Sequence, residues 1–102
     1  MYNVQFLPIA REDLMGIAGY ISEELGSPRA AMRLIEKIVA AADGLADFPY
    51  AYPVYIPIRP TLYEYRKMRV ENYLVFYSVA EAAKTVTVMR IIYAKRDFEK
   101  LI

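Results

Sequence analysis

The chain has 102 residues, 57% hydrophobic and 25% charged, with no His, no Cys, no Trp and ten Tyr. That length is sized for a single domain, residues 1–102, with a real core and no room for a second. The missing His and Cys exclude disulfides, Cys or His metal sites, a Cys nucleophile and any His general base, so acid–base chemistry falls to Asp, Glu, Tyr, Lys or the backbone.

The net charge of +1 is unevenly spread. Met1 to Phe48 holds four basic residues against seven acidic ones, a balance of −3; Pro49 to Ile102 holds nine against five, a balance of +4. Such asymmetry points to a polyanion or an acidic partner on the basic half, or to an uneven solvated surface. The N-terminus lacks the basic and apolar regions of a targeting signal, and no apolar run approaches a membrane span. The expectation is a cytoplasmic protein with no membrane partner.

In chain order, Tyr2 to Leu7 alternates like a strand closed by Pro8. From Arg11 to Leu25 the spacing becomes helical. Leu14, Ile17, Ala18, Ile21 and Leu25 form one apolar stripe, Glu12 and Asp13 occupy the first turn, and Gly26 ends the helix. Ser27-Pro28 restarts helix as cap and first residue, with a stripe of Ala31, Leu34, Ile35, Ile38, Ala42 and Leu45. So short a link predicts an antiparallel helical hairpin.

Pro49 to Pro60 carries four of the six prolines, with Tyr50, Tyr52 and Tyr55 between them. This density forbids helix and central strand, leaving an ordered loop or edge segment. Its tyrosines either stack bases or, as is commoner, fasten the loop to the core. Tyr63 to Val70, Asn72 to Val79 and Thr85 to Tyr93 read as a three-stranded meander with turns at Glu71-Asn72 and Ala80 to Lys84. Ala94 to Ile102 reads as a short helix or tail. The fold class is α+β, in the order β-α-α-β-β-β, with the hairpin packed on one face of a small, mainly antiparallel sheet.

Alternation sorts the basic residues. Lys67 and Arg69 share one strand face and Arg66 takes the other. Arg90 shares a face with Val86, Val88 and Ile92, where an unpaired guanidinium is costly. It therefore lines a groove or meets a carboxylate such as Glu64 or Glu71. Lys95-Arg96 follows the last strand, either carried over the sheet's open face or pairing with Asp97 or Glu99.

Across essentially the whole chain the sequence resembles the RelE/ParE toxin superfamily. The likeness runs through Asp13-Leu14, Ile17, Tyr20-Ile21, Glu24-Leu25, Ser27-Pro28, Ala30-Ala31, Leu34-Ile35, Lys37-Ile38, Leu45 and Phe48-Pro49. It continues through Tyr65 to Met68, Asn72 to Tyr77, Val86, Val88 to Tyr93, and Lys95 to Asp97. The resemblance implies the toxin of a type II toxin–antitoxin pair, inhibited by an acidic antitoxin. RelE-like members cut mRNA on the ribosome without metal or cofactor, ParE-like members inhibit DNA gyrase by binding, and a degenerate member would only bind its antitoxin.

Metal-free cleavage through the 2′-hydroxyl needs a proton acceptor, a donor for the leaving oxygen and cations on the phosphate. Carried over by resemblance, Arg96 matches a catalytic arginine, and Lys67 and Arg69 fall near basic residues of the preceding strand. Tyr93 is the nearest tyrosine, and Arg66, Arg90 and Lys95 are the candidate groove or RNA contacts. Two departures stand out. Leu74 replaces an arginine, and no C-terminal catalytic tyrosine follows Arg96. The expected function is mRNA cleavage, with gyrase inhibition or a non-toxic antitoxin-binding module as the alternatives.

Overall fold

Val4 and Phe6 point the same way from a four-residue strand, β1 (Asn3–Phe6), and pack against the main core. Pro8 then does two jobs. It ends the strand and, lacking an N–H that a first turn would leave unpaired, begins α1 (Pro8–Gly19). The computed structural model describes residues 1–57, 64–96 and 101. The helix thus begins three residues before the Arg11 expected from its pattern, and Glu12 and Asp13 lie beyond its first turn.

After Gly19 the helix widens into a π-helical turn, Tyr20–Glu24, closed by the Leu25 N–H on the Tyr20 carbonyl at 3.2 Å. This changes the phase of the apolar stripe. Leu14, Ile17 and Ile21 reach the core, but Leu25, expected on the same stripe, is turned out and 61% exposed. Gly26 takes the positive φ of +68° that reverses the chain. Ser27 caps α2 (Pro28–Asp43), its hydroxyl accepting from the Ala30 N–H at 3.3 Å, and Pro28 opens the first turn. Ala31, Leu34, Ile38 and Ala42 are buried, and a 3-10 turn at Gly44–Ala46 sets Leu45 into the core.

Among its described residues, 49–57, the proline-rich segment contributes a two-residue edge strand, β2 (Val54–Tyr55), as its composition predicts. β3 (Tyr65–Val70), β4 (Tyr73–Ala80) and β5 (Thr85–Tyr93) form the expected meander, with the Glu71 turn at positive φ. Tyr63 and Pro60, placed by the sequence at the start of β3 and the end of the preceding segment, lie outside the described residues. The sheet order is β1-β5-β4-β3-β2, antiparallel except for the parallel β1–β5 pair.

Both helices lie on one sheet face, over Met68, Val70, Val75, Tyr77, Val86 and Val88. The other face buries a smaller cluster, Leu74, Phe76 and Ile92, against Tyr55, Tyr65, Ala94 and Leu101. Strict alternation fails once. Tyr77 pairs with Val88 and Phe76 with Arg90, so Met89 has no partner and bulges. Val86 and Val88 therefore face the helices, whereas Arg90 and Ile92 fall opposite Phe76 and Leu74, which separates Arg90 from the face expected of it. Of the C-terminal helix or tail, a turn at residues 94–96 is described, fastened by the Ala94 N–H on the Asn72 carbonyl at 2.8 Å. The remainder, except Leu101, lies outside the described residues.

Candidate functional site

Where β1 stops at Phe6, β5 runs on to Tyr93, leaving the backbone of its last residues without a strand neighbour on that side. Asp13 takes up the slack from α1. Its carboxylate accepts the Ile91 N–H at 2.9 Å and grips the Arg90 guanidinium at 2.8 and 3.1 Å. The remaining Arg90 nitrogen donates to the Leu101 carbonyl at 2.8 Å. The pair is largely sheltered, its side chains 17% and 15% exposed, and Asp13 holds the Arg90 pKa above its ordinary value. The carboxylate partner of Arg90 is thus Asp13, neither Glu64 nor Glu71. The bulge at Met89 sets Arg90 on the face of Phe76 and Ile92, from which its guanidinium bridges Asp13 of α1 and the Leu101 carbonyl. Glu71 is otherwise engaged, bridging Arg33 at 3.2 Å and Lys37 at 3.0 Å, and those cations lower its pKa.

The clamp stands at the back of a groove of about 770 Å³ between the helical hairpin and the exit of β5. Ile17, Ile21 and Leu34 supply apolar lining, Tyr20, Tyr73 and Tyr93 the aromatic surface, and Glu12, Arg33 and Arg96 the accessible charge. Tyr73 and Tyr93 face each other across β4 and β5 with ring centroids 5.5 Å apart. Burial, then Tyr93 and Tyr20, raise the Tyr73 pKa, so its phenol stays protonated at neutral pH and serves as a donor, not a base. Among the described residues no three carboxylates converge to hold a metal ion.

The seven basic and tyrosine residues singled out by sequence are dispersed. Arg96, Tyr93 and Arg90 meet at this groove. Lys67 and Arg69 stand on the opposite sheet face, with Lys67 over the Tyr55 ring at 5.1 Å and Arg69 folded onto the Glu71 carbonyl at 2.8 Å. Arg66 fastens the proline-rich segment, donating to the Tyr52 carbonyl at 2.6 Å and lying 4.9 Å over the Tyr50 ring. Lys95 is exposed beside Arg96. Two tyrosines of that segment are fasteners too, Tyr50 donating to Glu81 at 2.8 Å and Tyr55 lying edge-on to Phe76 with ring centroids 5.4 Å apart, and buried Tyr77 of β4 donates to the Pro49 carbonyl at 2.8 Å.

The seven residues that the sequence singles out all lie in the basic C-terminal half. Glu12, Asp13, Tyr20 and Arg33 of the acidic half also form the groove. Asp13 left no local signal, because its partner lies 77 residues away and its meaning depends on where β1 ends. Arg33 and Tyr20 did leave one, as residues off the two apolar stripes on either side of the link that joins the helices.

Chemically the groove combines an apolar floor, phenol groups and accessible charges of both signs, with the carboxylates of Glu12 and Glu71 among its lining. No helix among the described residues is long and apolar enough to cross a membrane.

Comparison with known proteins agrees with this architecture. The toxin of the chromosomal ParDE toxin–antitoxin system from P. aeruginosa superposes with a TM-score of 0.75 at 18% identity, covering 93% of this chain and 98% of that one. The toxin–antitoxin complex RelBE2 from Mycobacterium tuberculosis gives 0.64 at 25% identity, over 90% and 96%. The archaeal RelE–RelB complex from Pyrococcus horikoshii OT3 gives 0.61 at 19%, over 93% and 97%. No curated protein matches the sequence. The sequence pattern described as the ParE toxin of the type II toxin–antitoxin system parDE matches residues 4–98. With nearly its whole length covered, this chain belongs to the ParE toxin family, within the RelE/ParE superfamily.

Proposed function

We propose that this type II toxin acts by binding DNA gyrase in the cytoplasm, and that an acidic antitoxin holds it inactive. The observation that carries the reading is the match to the ParE family over residues 4–98. ParE-like toxins are the gyrase inhibitors of the superfamily, and inhibition by binding asks for a surface, not for a proton relay.

The geometry supports the same reading. Arg90 is committed to Asp13, Arg66 to the proline-rich segment and Arg69 to its own turn. The sheet stands between Lys67 and Tyr93, because Lys67 pairs with Phe76 on the open face whereas Tyr93 lies beside Tyr73 on the helix side. We place Arg96 and Tyr93 at a partner-binding surface. The antitoxin is inferred from family membership and from the RelBE2 and RelE–RelB structures, which are toxin–antitoxin complexes.

A second reading, ribosome-dependent mRNA cleavage, is favoured by one observation: Arg96 and Tyr93 line the same groove as Arg33. One experiment separates the two. Purified toxin is titrated into a gyrase supercoiling assay and, in parallel, into a translating extract whose message is mapped for cuts. Loss of supercoiling with intact message is expected. Unchanged supercoiling at saturating toxin would sink the gyrase reading, cut message would install the nuclease one, and harmless overexpression without antitoxin would remove both.

A further inference from the structure

We propose that Arg29, Arg33 and Lys37 of α2 form a docking row for an acidic helix of a partner protein, and that Glu71 holds part of this row until the partner's carboxylates replace it. This surface is where the acidic antitoxin of the proposed function would grip the chain, so the inference rests on that reading.

Met1 to Phe48 carries a balance of −3, yet three of its four basic residues stand on one ridge of one helix. Residues four apart on a helix are neighbours. Arg29, Arg33 and Lys37 therefore make a line about 12 Å long, with a cation about every 6 Å. All three are exposed.

The free chain gains nothing from this order of charge. Like charges at i and i+4 repel, and the row contains two such pairs. Arg29 is the second residue of α2, where the helix dipole opposes a cation, and no acidic residue shares that first turn. The helix ends on Asp43, again against the dipole. Internal compensation is thin. Glu71 answers two cations through one oxygen, its Oε2 accepting from Arg33 at 3.2 Å and from Lys37 at 3.0 Å. It does so from a positive φ of 52°, which glycine or asparagine would adopt more readily. Among the described residues Arg29 has no hydrogen-bonded or ionic partner, and Glu36 of the same helix pairs with neither arginine.

What fits the row is a run of carboxylates at the matching interval, the spacing of positions i and i+4 on a partner helix laid along α2. Beside the row, Ala30 and Leu34 line the groove with Ile17 and Ile21, so the same helix sets apolar side chains next to its acids. A nucleic acid would also bring anions, but its sugar–phosphate backbone leaves that apolar strip unused and meets the carboxylates of Glu12 and Glu71. Glu71 is the internal counterpart of the incoming acid and turns to solvent when the partner arrives.

The test uses a fluorescein-labelled helical peptide with Glu at every fourth position and Leu beside each one. Anisotropy follows its binding to the purified full chain, next to the same peptide with Gln for Glu, a short single-stranded RNA and a short DNA duplex. Tighter, salt-sensitive binding of the Glu peptide is expected. Arg29→Gln, Arg33→Gln and Lys37→Gln should each weaken it about fivefold, and the triple change about a hundredfold. Two responses carry a sign that a purely structural role would not give. Glu71→Gln should tighten the peptide about threefold, because it frees two cations while costing the chain its own ion pairs. Arg29→Gln should weaken the peptide and yet raise the thermal midpoint slightly, because it removes a repulsion and a charge that the dipole opposes. Equal binding of the Glu and Gln peptides, indifference to the triple change, tighter binding of the RNA or DNA, or self-association through the row in sedimentation overturns the proposal. The supercoiling assay separates this from the gyrase reading. A toxin that binds the Glu peptide through the row but spares gyrase keeps this surface and loses that reading. One that stops gyrase without preferring the Glu peptide loses this surface alone.

Discussion

The two faces of the sheet are closed by different means. On one, α1 and α2 lay whole apolar stripes over β3, β4 and β5, burying a continuous core that includes Ile38, Leu45, Val75 and Val88. On the other, no helix is described, and Leu74, Phe76 and Ile92 are sealed by Tyr55 of β2, by Tyr65 at the start of β3 and by Ala94 and Leu101 from the C-terminal end. Yet Phe76 is as fully buried as Ile38, both at 0% exposure. Burial depends on local packing and does not require a regular covering layer. The difference lies in what holds the cover in place. The helices are anchored by their own hydrogen bonds and caps, whereas Leu101 is anchored by the Arg90 donor that Asp13 orients.

The sharpest way to break this comparison is to empty each core in turn. Phe76→Ala and Ile38→Ala should each cost about 3–4 kcal/mol, the loss of transfer free energy plus an unfilled cavity. Urea unfolding measures both. Similar losses would make the open face a core in its own right. A Phe76→Ala cost of only about 1 kcal/mol would mean that the cover collapses onto the gap and that this side is the softer one.

Next in size is the clamp joining the two faces. Asp13→Ala leaves the Arg90 guanidinium sheltered without its carboxylate and removes the acceptor of the Ile91 N–H. The expected loss is about 2–3 kcal/mol, below the value for a fully buried pair because water still reaches part of it. Asp13→Asn, which still accepts from one donor, should recover about a third of it. Limited proteolysis near Leu101 reads the local effect. Faster cleavage in Asp13→Ala ties the C-terminal cover to the clamp, whereas an unchanged rate would detach it.

How much of this was legible in the sequence follows the range of the forces involved. Hairpin, meander, edge segment, Gly26 and the Ser27 cap are set by neighbours within a few residues, and each was readable. So was the helix-side core, because its periodicity is local. Three features were hidden. The π-helical turn that swings Leu25 outward is a phase slip of one helix, and no residue type in Tyr20–Glu24 announces it. The bulge at Met89 depends on register with β4, and it reassigned the face of Arg90. The Asp13 clamp depends on how far β1 extends along β5. All three bear on the groove, which explains why the fold was plainer than the site. The −3 and +4 halves of the chain meet at the groove, with Arg33 and Glu12 of the acidic half lining it alongside Arg96 of the basic one.

Smaller effects sharpen the helix side. Ser27→Ala removes the acceptor for the Ala30 N–H and should cost about 1 kcal/mol, with Ser27→Asp close to neutral. Because α2 covers the core and also presents Arg33 and Leu34 to the groove, fraying of its first turn should weaken partner binding as well as stability. A stability loss with partner affinity unchanged would place the bound surface elsewhere.

The smallest expected effect is a dependence on pH at the far end of the sheet. Glu81, in the turn between β4 and β5, accepts from Tyr2 at 2.7 Å, from Tyr50 at 2.8 Å and from Lys84. Lys84, then Tyr2 and Tyr50, draw its pKa down from 4.5 to about 2. The folded state thus holds this carboxylate ionised more strongly than the unfolded chain does. Its contribution is complete above pH about 4.5 and is lost as pH falls toward about 2. On the alkaline side the same bond pushes Tyr50 up to about 12 from 10.0, so its share is complete below pH about 10 and fades as pH climbs through 12. The cluster is exposed, so the amplitude is small and salt-sensitive. Glu81→Gln should flatten the acid limb of stability against pH and reduce the salt sensitivity there, while leaving the loss caused by Asp13→Ala unchanged at neutral pH. An acid limb identical in Glu81→Gln would show that the tie between Tyr2, the proline-rich segment and this turn holds by packing, through the edge-on contact of the Tyr2 and Tyr50 rings at 6.3 Å, and not by charge.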